Sequence, residues 1–133
     1  MNTQTLLRLA HSDPKIKRTF GGVFTSDMLP EKRGHYQSFI VNTDSSMSTG
    51  QHWQAIFCDN NQNCVFFCSY GTYPIEIIKK FLERNSIRMD WNSLILQHPK
   101  TTSCGLFCLY FLWHMNRGLT IERLRERNVC ENE

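Results

Sequence analysis

The chain has 133 residues, of which 41% are hydrophobic and 20% are charged, and this balance excludes an intrinsically disordered chain. Its length predicts one globular domain that covers residues 1-133. A formal net charge of +3 permits contact with DNA but does not indicate a nucleic-acid-binding protein. No apolar run is long enough to span a bilayer, and the first residues lack the features of a signal peptide, so we expect an intracellular protein without a membrane contact.

The N-terminal third predicts little regular structure. The first ten residues form a short predicted helix with its leucines on one side. Asp13 is expected to end this helix, because the residue before a proline avoids the helical conformation. Residues 14–36 contain Gly21, Gly22, Pro30 and Gly34, and we expect them to be irregular.

Three strands are predicted in the middle of the chain. The first covers 38–43, the second 52–59 and the third 64–71. The second and third are separated by a short Asn-rich connection, which predicts an antiparallel hairpin. A helix over 74–85 follows, with Pro74 in its first turn and four apolar side chains facing the core, namely Ile77, Ile78, Phe81 and Leu82.

The C-terminal third predicts a strand over 93–96 and a nearly all-apolar helix over 105–115, which we expect to be central and buried. Gly118 is expected to close that helix. Thr120 then caps a last short helix. The mixed order of elements predicts an α+β domain in which one small mixed sheet packs on the buried helix.

Six cysteines stand at positions 58, 64, 68, 104, 108 and 130. Because they lie at short spacings inside apolar segments, and thiols inside cells stay reduced, we expect free buried cysteines. A zinc site formed by His52, Cys58, Cys64 and Cys68 is disfavoured, since the spacings lack the close cysteine pairs of structural zinc sites. No metal ion is therefore expected.

Cys104 lies at the start of the predicted buried helix, in the segment TTSCGLF. A thiol at a helix N-terminus meets the positive end of the backbone dipole, which favours the reactive thiolate. A cysteine before an apolar helix is more often a core residue than a catalytic one, and Cys108 is interpreted as core. Cys104 alone therefore does not define an active site.

His52 opens the second predicted strand, directly after a polar loop. A histidine in this setting is often only a surface residue, but together with Cys104 it completes the pair that thiolate–imidazolium catalysis needs. Gln97 stands seven positions before Cys104, where a side-chain amide would donate to a developing oxyanion. A lone glutamine at the end of a strand is, however, usually just exposed to solvent.

These residues resemble those of adenain, the adenovirus endopeptidase, and of its smaller relatives in Maverick/Polinton transposons and related DNA viruses. A more distant resemblance is to the SUMO-specific proteases. The motifs that carry the resemblance are IVNT at 40–43, HW at 52–53, FFCSYG at 66–71, Gln97, SCGLFC at 103–108 and RG at 117–118. The resemblance implies a papain-like core in rearranged order, with Cys104 as nucleophile, His52 as general base and Gln97 in the oxyanion hole.

The resemblance also implies a biological role. It is that of an endopeptidase that cleaves viral or transposon-encoded structural precursors during particle maturation, as a monomer, in the host nucleus or the virion. No cofactor is required by the sequence, and DNA or an activating viral peptide are candidate activators through the resemblance alone. An alternative within the same chemistry is an isopeptidase for ubiquitin-like modifiers.

Cys68 departs from the pattern, because the family carries a carboxylate there that accepts the N–H of His52. A thiol is neutral near pH 7 and a weak acceptor unless its pKa is lowered. Asp59 lies about 20 Å away along a regular hairpin, and the reach of Asp44 stays open. We expect activity that is retained but reduced, with an inactive scaffold or DNA-associated particle component as the alternative from a different class.

Overall fold

The computed structural model describes residues 2–43, 52–92 and 104–118. Within these ranges the elements run in chain order as α1 (Thr3–Ser12), α2 (Pro14–Thr19), β1 (Phe20–Thr25), a short 3₁₀ helix (Ser26–Met28), β2 (Ser38–Asn42), β3 (Trp53–Cys58), β4 (Asn63–Phe67), α3 (Glu76–Asn85), β5 (Arg88–Trp91) and α4 (Cys104–Met115). No helix in the described ranges is long and apolar enough to cross a membrane.

The strands form one sheet in the order β1-β2-β3-β4-β5. The three central strands are antiparallel neighbours, whereas β1 pairs parallel with β2, and β5 pairs parallel with β4. The sheet is therefore mixed, and the predicted α+β class is confirmed.

Each face of the sheet is covered by helices, because successive side chains of a strand point to opposite faces. Trp53, Ala55 and Phe57 of β3 belong to the apolar core that also contains residues of α1, α2 and α4. Ile56 and Cys58 of the same strand belong to a second core, which contains the buried residues of α3. Strand β3 is buried along its whole length, as expected for the central strand of a sheet with helices on both faces.

The prediction that residues 14–36 are irregular is wrong, since α2, β1 and the 3₁₀ helix lie there. Asp13 ends α1 and also caps α2, because its Oδ2 accepts the N–H of Ile16 at 3.0 Å. The two glycines of β1 permit the strand to form where it does. Gly22 has a φ of +137°, and a Cβ at Gly21 would collide with the ring of Phe39 on β2.

The three predicted central strands are confirmed, although β4 ends at Phe67 and residues 68–71 form a turn. The predicted helix is α3, which begins at Glu76 rather than in the turn of Pro74. Its core side chains are Ile78, Phe81 and Leu82, whereas Ile77 is 43% exposed and does not face the core as predicted. Strand β5 was not predicted. The predicted strand 93–96 and the predicted last helix lie outside the described residues.

Helix α4 begins at Cys104, one residue before the predicted start, and ends at the predicted Met115. Gly118 has a φ of +85° and its N–H donates to the carbonyl of Met115 at 3.2 Å, so it closes the turn after the helix. The helix is buried along the side that faces β3, but Leu106, Tyr110 and Trp113 on its other side are 42–52% exposed. The prediction that this helix is buried therefore holds for one side only. Its almost uniformly apolar sequence does not distinguish the buried side from the exposed one.

The expectation of cysteines without disulfides holds for Cys68, Cys104 and Cys108, which are buried, but it is wrong for Cys58 and Cys64, which form a disulfide. Cys130 lies outside the described residues. The antiparallel register places these two directly opposite each other on β3 and β4, with their Cα atoms 4.0 Å apart. Two of the four zinc ligands considered from the sequence are thus bonded to each other. In the described ranges, no group of three or more His, Cys, Asp and Glu side chains is arranged to hold a metal ion.

Candidate active site

His52 lies at one end of the sheet, next to one cysteine from each of the two apolar cores. Cys104, at the first position of α4, belongs to the core on one face. Cys68, one residue after the end of β4, belongs to the core on the other face. His52 directly precedes β3, the strand between these layers, and its side chain makes hydrogen bonds with both sulfurs. The fold thus brings together three residues that are up to 52 positions apart.

The sulfur of Cys104 is surrounded by donors. The N–H of Trp53 lies 3.4 Å from it, the N–H of Gly105 donates to it from the first turn of α4, and the side chain of His52 forms a hydrogen bond with it. Burial alone would raise the pKa of Cys104, but these contacts together lower it below the usual value of a thiol. The predicted pairing of Cys104 with His52 is therefore present in the geometry.

The opposite side of the imidazole faces Cys68. Nε2 of His52 lies 3.2 Å from the sulfur of Cys68. An imidazole has two ring nitrogens, so Nδ1 is the nitrogen that remains for Cys104. The structure thus places Cys68, which the sequence interpretation assigns to the position of the expected acid, beside Nε2 of His52, and its role stays a prediction.

The protonation equilibria of the site favour charged forms. Burial would lower the pKa of His52, but the hydrogen bonds to Cys104 and Cys68 and the charges on these sulfurs raise it to about 9. Burial would raise the pKa of Cys68, but hydrogen bonds from His52, Thr72 and Gln54 lower it to about 6. The site therefore favours an imidazolium beside a Cys68 thiolate near neutral pH, and it eases the ionisation of Cys104.

Asn92 holds the backbone of Cys68 in place, and sequence reasoning missed it. Its Oδ1 accepts the N–H of Cys68 at 2.9 Å, and its Nδ2 donates to the carbonyl of Cys68 at 2.7 Å. The side-chain amide thus extends the pairing of β4 with β5 beyond the last backbone pair, which is Phe66 with Trp91. Strand β5 pairs in parallel with a strand that is distant in sequence, and the burial of Asn92 is visible only in the fold, so neither gave a local signal.

Two further residues around the imidazole were also missed. The ring of Tyr70 stacks on His52, with centroids 4.8 Å apart and planes at 28°. A stacked aromatic ring restrains the imidazole and favours its cationic form. Gln54 is the only polar side chain in the otherwise apolar β3, and this isolated position was the signal for a buried contact. Thr72, exposed in the turn, gave no local signal.

The remaining candidates lie elsewhere. Cys108 is buried in the α4 core, and burial raises its pKa well above the usual value, in agreement with the interpretation as a core residue. Asp59 sits at the hairpin turn, where Oδ1 accepts the N–H groups of Asn61 and Asn63. The candidate oxyanion residue Gln97 and the loop residue Asp44 lie outside the described residues, so their roles stay predictions.

A thiol at a helix start that is bonded to a histidine is the arrangement of a thiol protease, and the chain is a distant homologue of viral proteins of that class. It is 26% identical over 123 residues to a protein of Acanthamoeba polyphaga mimivirus named as a candidate thiol protease. It is 28% identical over 85 residues to the SUMO-1 cysteine protease of African swine fever virus.

The coverage of these relatives is partial. The alignments include 80% and 55% of this chain, but only 41% of the mimivirus protein and 31% of the African swine fever virus protein. A crystal structure of the African swine fever virus protease superimposes with a TM-score of 0.51 at 24% identity, over 64% of this chain and 36% of that one. This structural match supports the fold. No protein-family profile matches the chain.

Proposed function

We propose that this chain is a cysteine endopeptidase in which Cys104 is the nucleophile and His52 is the general base. The observation that carries the proposal is the hydrogen bond between His52 and a sulfur at the first position of a buried helix. Cys104 is 5% exposed, so this residue still reaches solvent while it remains in a largely dry environment. Homology to viral proteins named as thiol or cysteine proteases supports the same reaction class.

The reaction follows from the placement of the two groups. In the reactive form the proton of Cys104 resides on Nδ1 of His52, and the thiolate of this ion pair attacks the scissile carbonyl carbon. The oxyanion accepts hydrogen bonds from backbone N–H groups at the start of α4 and, as the sequence predicts, from Gln97. His52 returns the proton to the leaving amine as the C–N bond breaks. Water then hydrolyses the thioester, with His52 again as the base.

The resemblance to adenovirus-type proteases extends this proposal to the substrate. We propose viral or transposon-encoded structural precursors as substrates, cleaved by a monomer in the host nucleus or the virion. Contact with DNA or with an activating peptide belongs to the same set of expectations.

A second candidate is the removal of a ubiquitin-like modifier, and one observation favours it. The African swine fever virus relative is named a SUMO-1 cysteine protease. Both candidates use the same thiolate and imidazole, so they differ in the substrate that is bound and not in the catalytic residues.

An electrophilic probe tests the proposal. The chain is incubated with a peptide that carries a thiol-reactive C-terminus, and in parallel with a SUMO-1 derivative that carries the same group. Labelling that disappears in Cys104→Ala, together with a fall in peptide hydrolysis of about 10⁴-fold or more, is the expected result. Preferential labelling by the SUMO-1 probe would transfer the assignment to the second candidate.

The matched control is Cys108→Ala, which removes a buried thiol one turn further along α4 and should leave labelling intact. Equal labelling of the parent and Cys104→Ala would overturn the proposal. A parent chain that is not labelled, but becomes reactive in Cys68→Asp, would instead identify an inactive scaffold with an incomplete site.

A further inference from the structure

We propose that Cys68 serves as a thiolate and is the anionic positioning residue of His52, taking the place that a carboxylate holds in adenovirus-type proteases. This inference rests on the proposed function, because it assigns Cys68 a part in activating Cys104. The geometry that points to it is a buried sulfur surrounded by donors, with Nε2 of His52 at 3.2 Å.

The positions of the protons on the imidazole ring give the first argument. Once His52 holds the proton of Cys104 on Nδ1, the ring is an imidazolium, and its other proton is on Nε2. Nε2–H points at Cys68, so the sulfur of Cys68 must accept. If Cys68 were a neutral thiol that donates to Nε2, the ring proton would sit on Nδ1 and His52 could not act as a base.

The other neighbours of Cys68 give the second argument, because they also donate. The hydroxyl of Thr72 lies 3.0 Å from the sulfur, the N–H of Thr72 donates to it, and so does the side chain of Gln54. Together with His52, these groups offer four hydrogen bonds to one sulfur atom. A thiolate accepts several hydrogen bonds, and bonds to a charged acceptor are about twice as strong as neutral ones.

The orientation of Gln54 gives the third argument. Its Oε1 is buried and has no hydrogen-bond partner among the described residues, while its amide donates to Cys68. A buried acceptor without a partner destabilises the fold unless the other end of the amide gains enough. A charge-assisted bond to a thiolate provides that gain.

The electrostatics agree with the geometry. Cys68 is 0% exposed, and burial by itself would raise its pKa, yet the donors lower the pKa to about 6. The titratable groups that face this sulfur are His52, whose pKa is raised to about 9, Cys104 and the more deeply buried Cys108. Cys108 keeps its proton and is uncharged, so the positive charge that faces Cys68 is the imidazolium of His52. A cysteine here is then equivalent in charge to a carboxylate.

The experiment compares three variants of the full chain through the pH profile of kcat/KM. The parent should show an acid limb near pH 6 and an alkaline limb near pH 9, which follow the protonation of Cys68 and the deprotonation of His52. Cys68→Ser removes the anion, so the pKa of His52 falls, the alkaline limb moves to lower pH, and kcat/KM drops by about 10- to 10³-fold. Cys68→Asp should keep the alkaline limb and stay within about tenfold of the parent.

Thr72→Val keeps the thiol and tests the same idea without disturbing the core, because Thr72 is exposed. Loss of its hydroxyl should raise the pKa of Cys68 by about one unit and move the acid limb to higher pH. Thr19→Val is the matched control, since it removes a hydroxyl that bonds Ser38 and Asn116 outside the site. It should leave both limbs in place.

A direct readout is the ultraviolet absorbance of the thiolate in a Cys104→Ala background, with and without Cys68→Ser. A difference signal that titrates near pH 6 supports the inference, and its absence at neutral pH overturns it. An unchanged profile in Cys68→Ser would also overturn it, while leaving Cys104 as the nucleophile. If instead Cys104→Ala retains activity, the proposed function itself fails.

Discussion

The two sulfurs that flank His52 form hydrogen bonds with the same ring but lie in different surroundings. Cys104 is 5% exposed and takes two of its hydrogen bonds from the backbone, through the N–H groups of Trp53 and Gly105. Cys68 is 0% exposed, and side chains of Thr72 and Gln54 donate to it. The accessible sulfur beside backbone donors is arranged to react, whereas the enclosed sulfur is arranged to hold charge. Exposure and donor type therefore separate two residues of identical chemistry.

The strongest test of this comparison is selective alkylation. A small alkylating reagent should modify Cys104 at least about 100-fold faster than Cys68, because the pKa of each thiol is lowered but Cys68 is fully enclosed. Peptide mass mapping after a short reaction measures the two rates. In Cys104→Ala, Cys68 should remain unmodified in the folded chain and react only after denaturation. Comparable rates at the two positions in the folded chain would remove the distinction.

A second test changes the support of Cys68 without touching its sulfur. Asn92→Ala removes both hydrogen bonds to the backbone of Cys68, so the sulfur should shift relative to Nε2. We expect kcat/KM to fall by about 10- to 100-fold and the alkaline limb to move to lower pH. Cys104, which is held by the start of α4, should keep its reactivity towards an alkylating reagent above the alkaline limb.

Asn85→Ala is the matched control for this variant. Asn85 also makes several side-chain hydrogen bonds, to Arg33, Glu31 and Phe81, but it lies at the end of α3. It should lower the melting temperature without moving either limb of the profile. If both variants lose stability and neither changes the pH profile, Asn92 is only a structural residue.

The smallest expected effect on catalysis concerns the other pair of sulfurs in the same hairpin. Replacing Cys58 and Cys64 together by Ser removes the disulfide, which should lower the free energy of unfolding by about 2 kcal/mol. Because neither residue contacts His52, kcat/KM at neutral pH should change by less than about twofold. Denaturant unfolding and steady-state kinetics measure the two quantities. A large loss of activity with little loss of stability would contradict this division of roles.

The parts of the site that sequence could predict are those defined by neighbours along the chain. Cys104 before an apolar helix and His52 after a polar loop are local signals, and their order resembles that of known cysteine proteases. The central strands were predictable for a similar reason, since apolar runs separated by an Asn-rich turn indicate a hairpin. Parallel pairs carry no such signal, because their partners are distant in sequence. Strands β1 and β5, the two parallel partners, are the ones that the sequence did not reveal.

The support of Cys68 was unpredictable for the same physical reason. Asn92 is 24 positions away and reaches Cys68 only because β5 pairs with β4. Gln54 meets the sulfur through the antiparallel register of β3 and β4. From sequence alone a cysteine in place of a carboxylate indicated a defect. Its contacts in the folded chain are what assign it a charge.

The disulfide at the far end of the hairpin has a consequence for the active site that depends on distance along the strands. Cys58 pairs with Cys64, and counting back along the ladder places Gln54 opposite Cys68 four steps later, about 13 Å away. A slip of one residue would exchange the faces of β4 and turn Cys68 towards α4. The covalent link forbids that slip. It therefore reinforces a register that the two apolar faces of the hairpin already specify, and Cys68 keeps its side of the imidazole even when the link is removed.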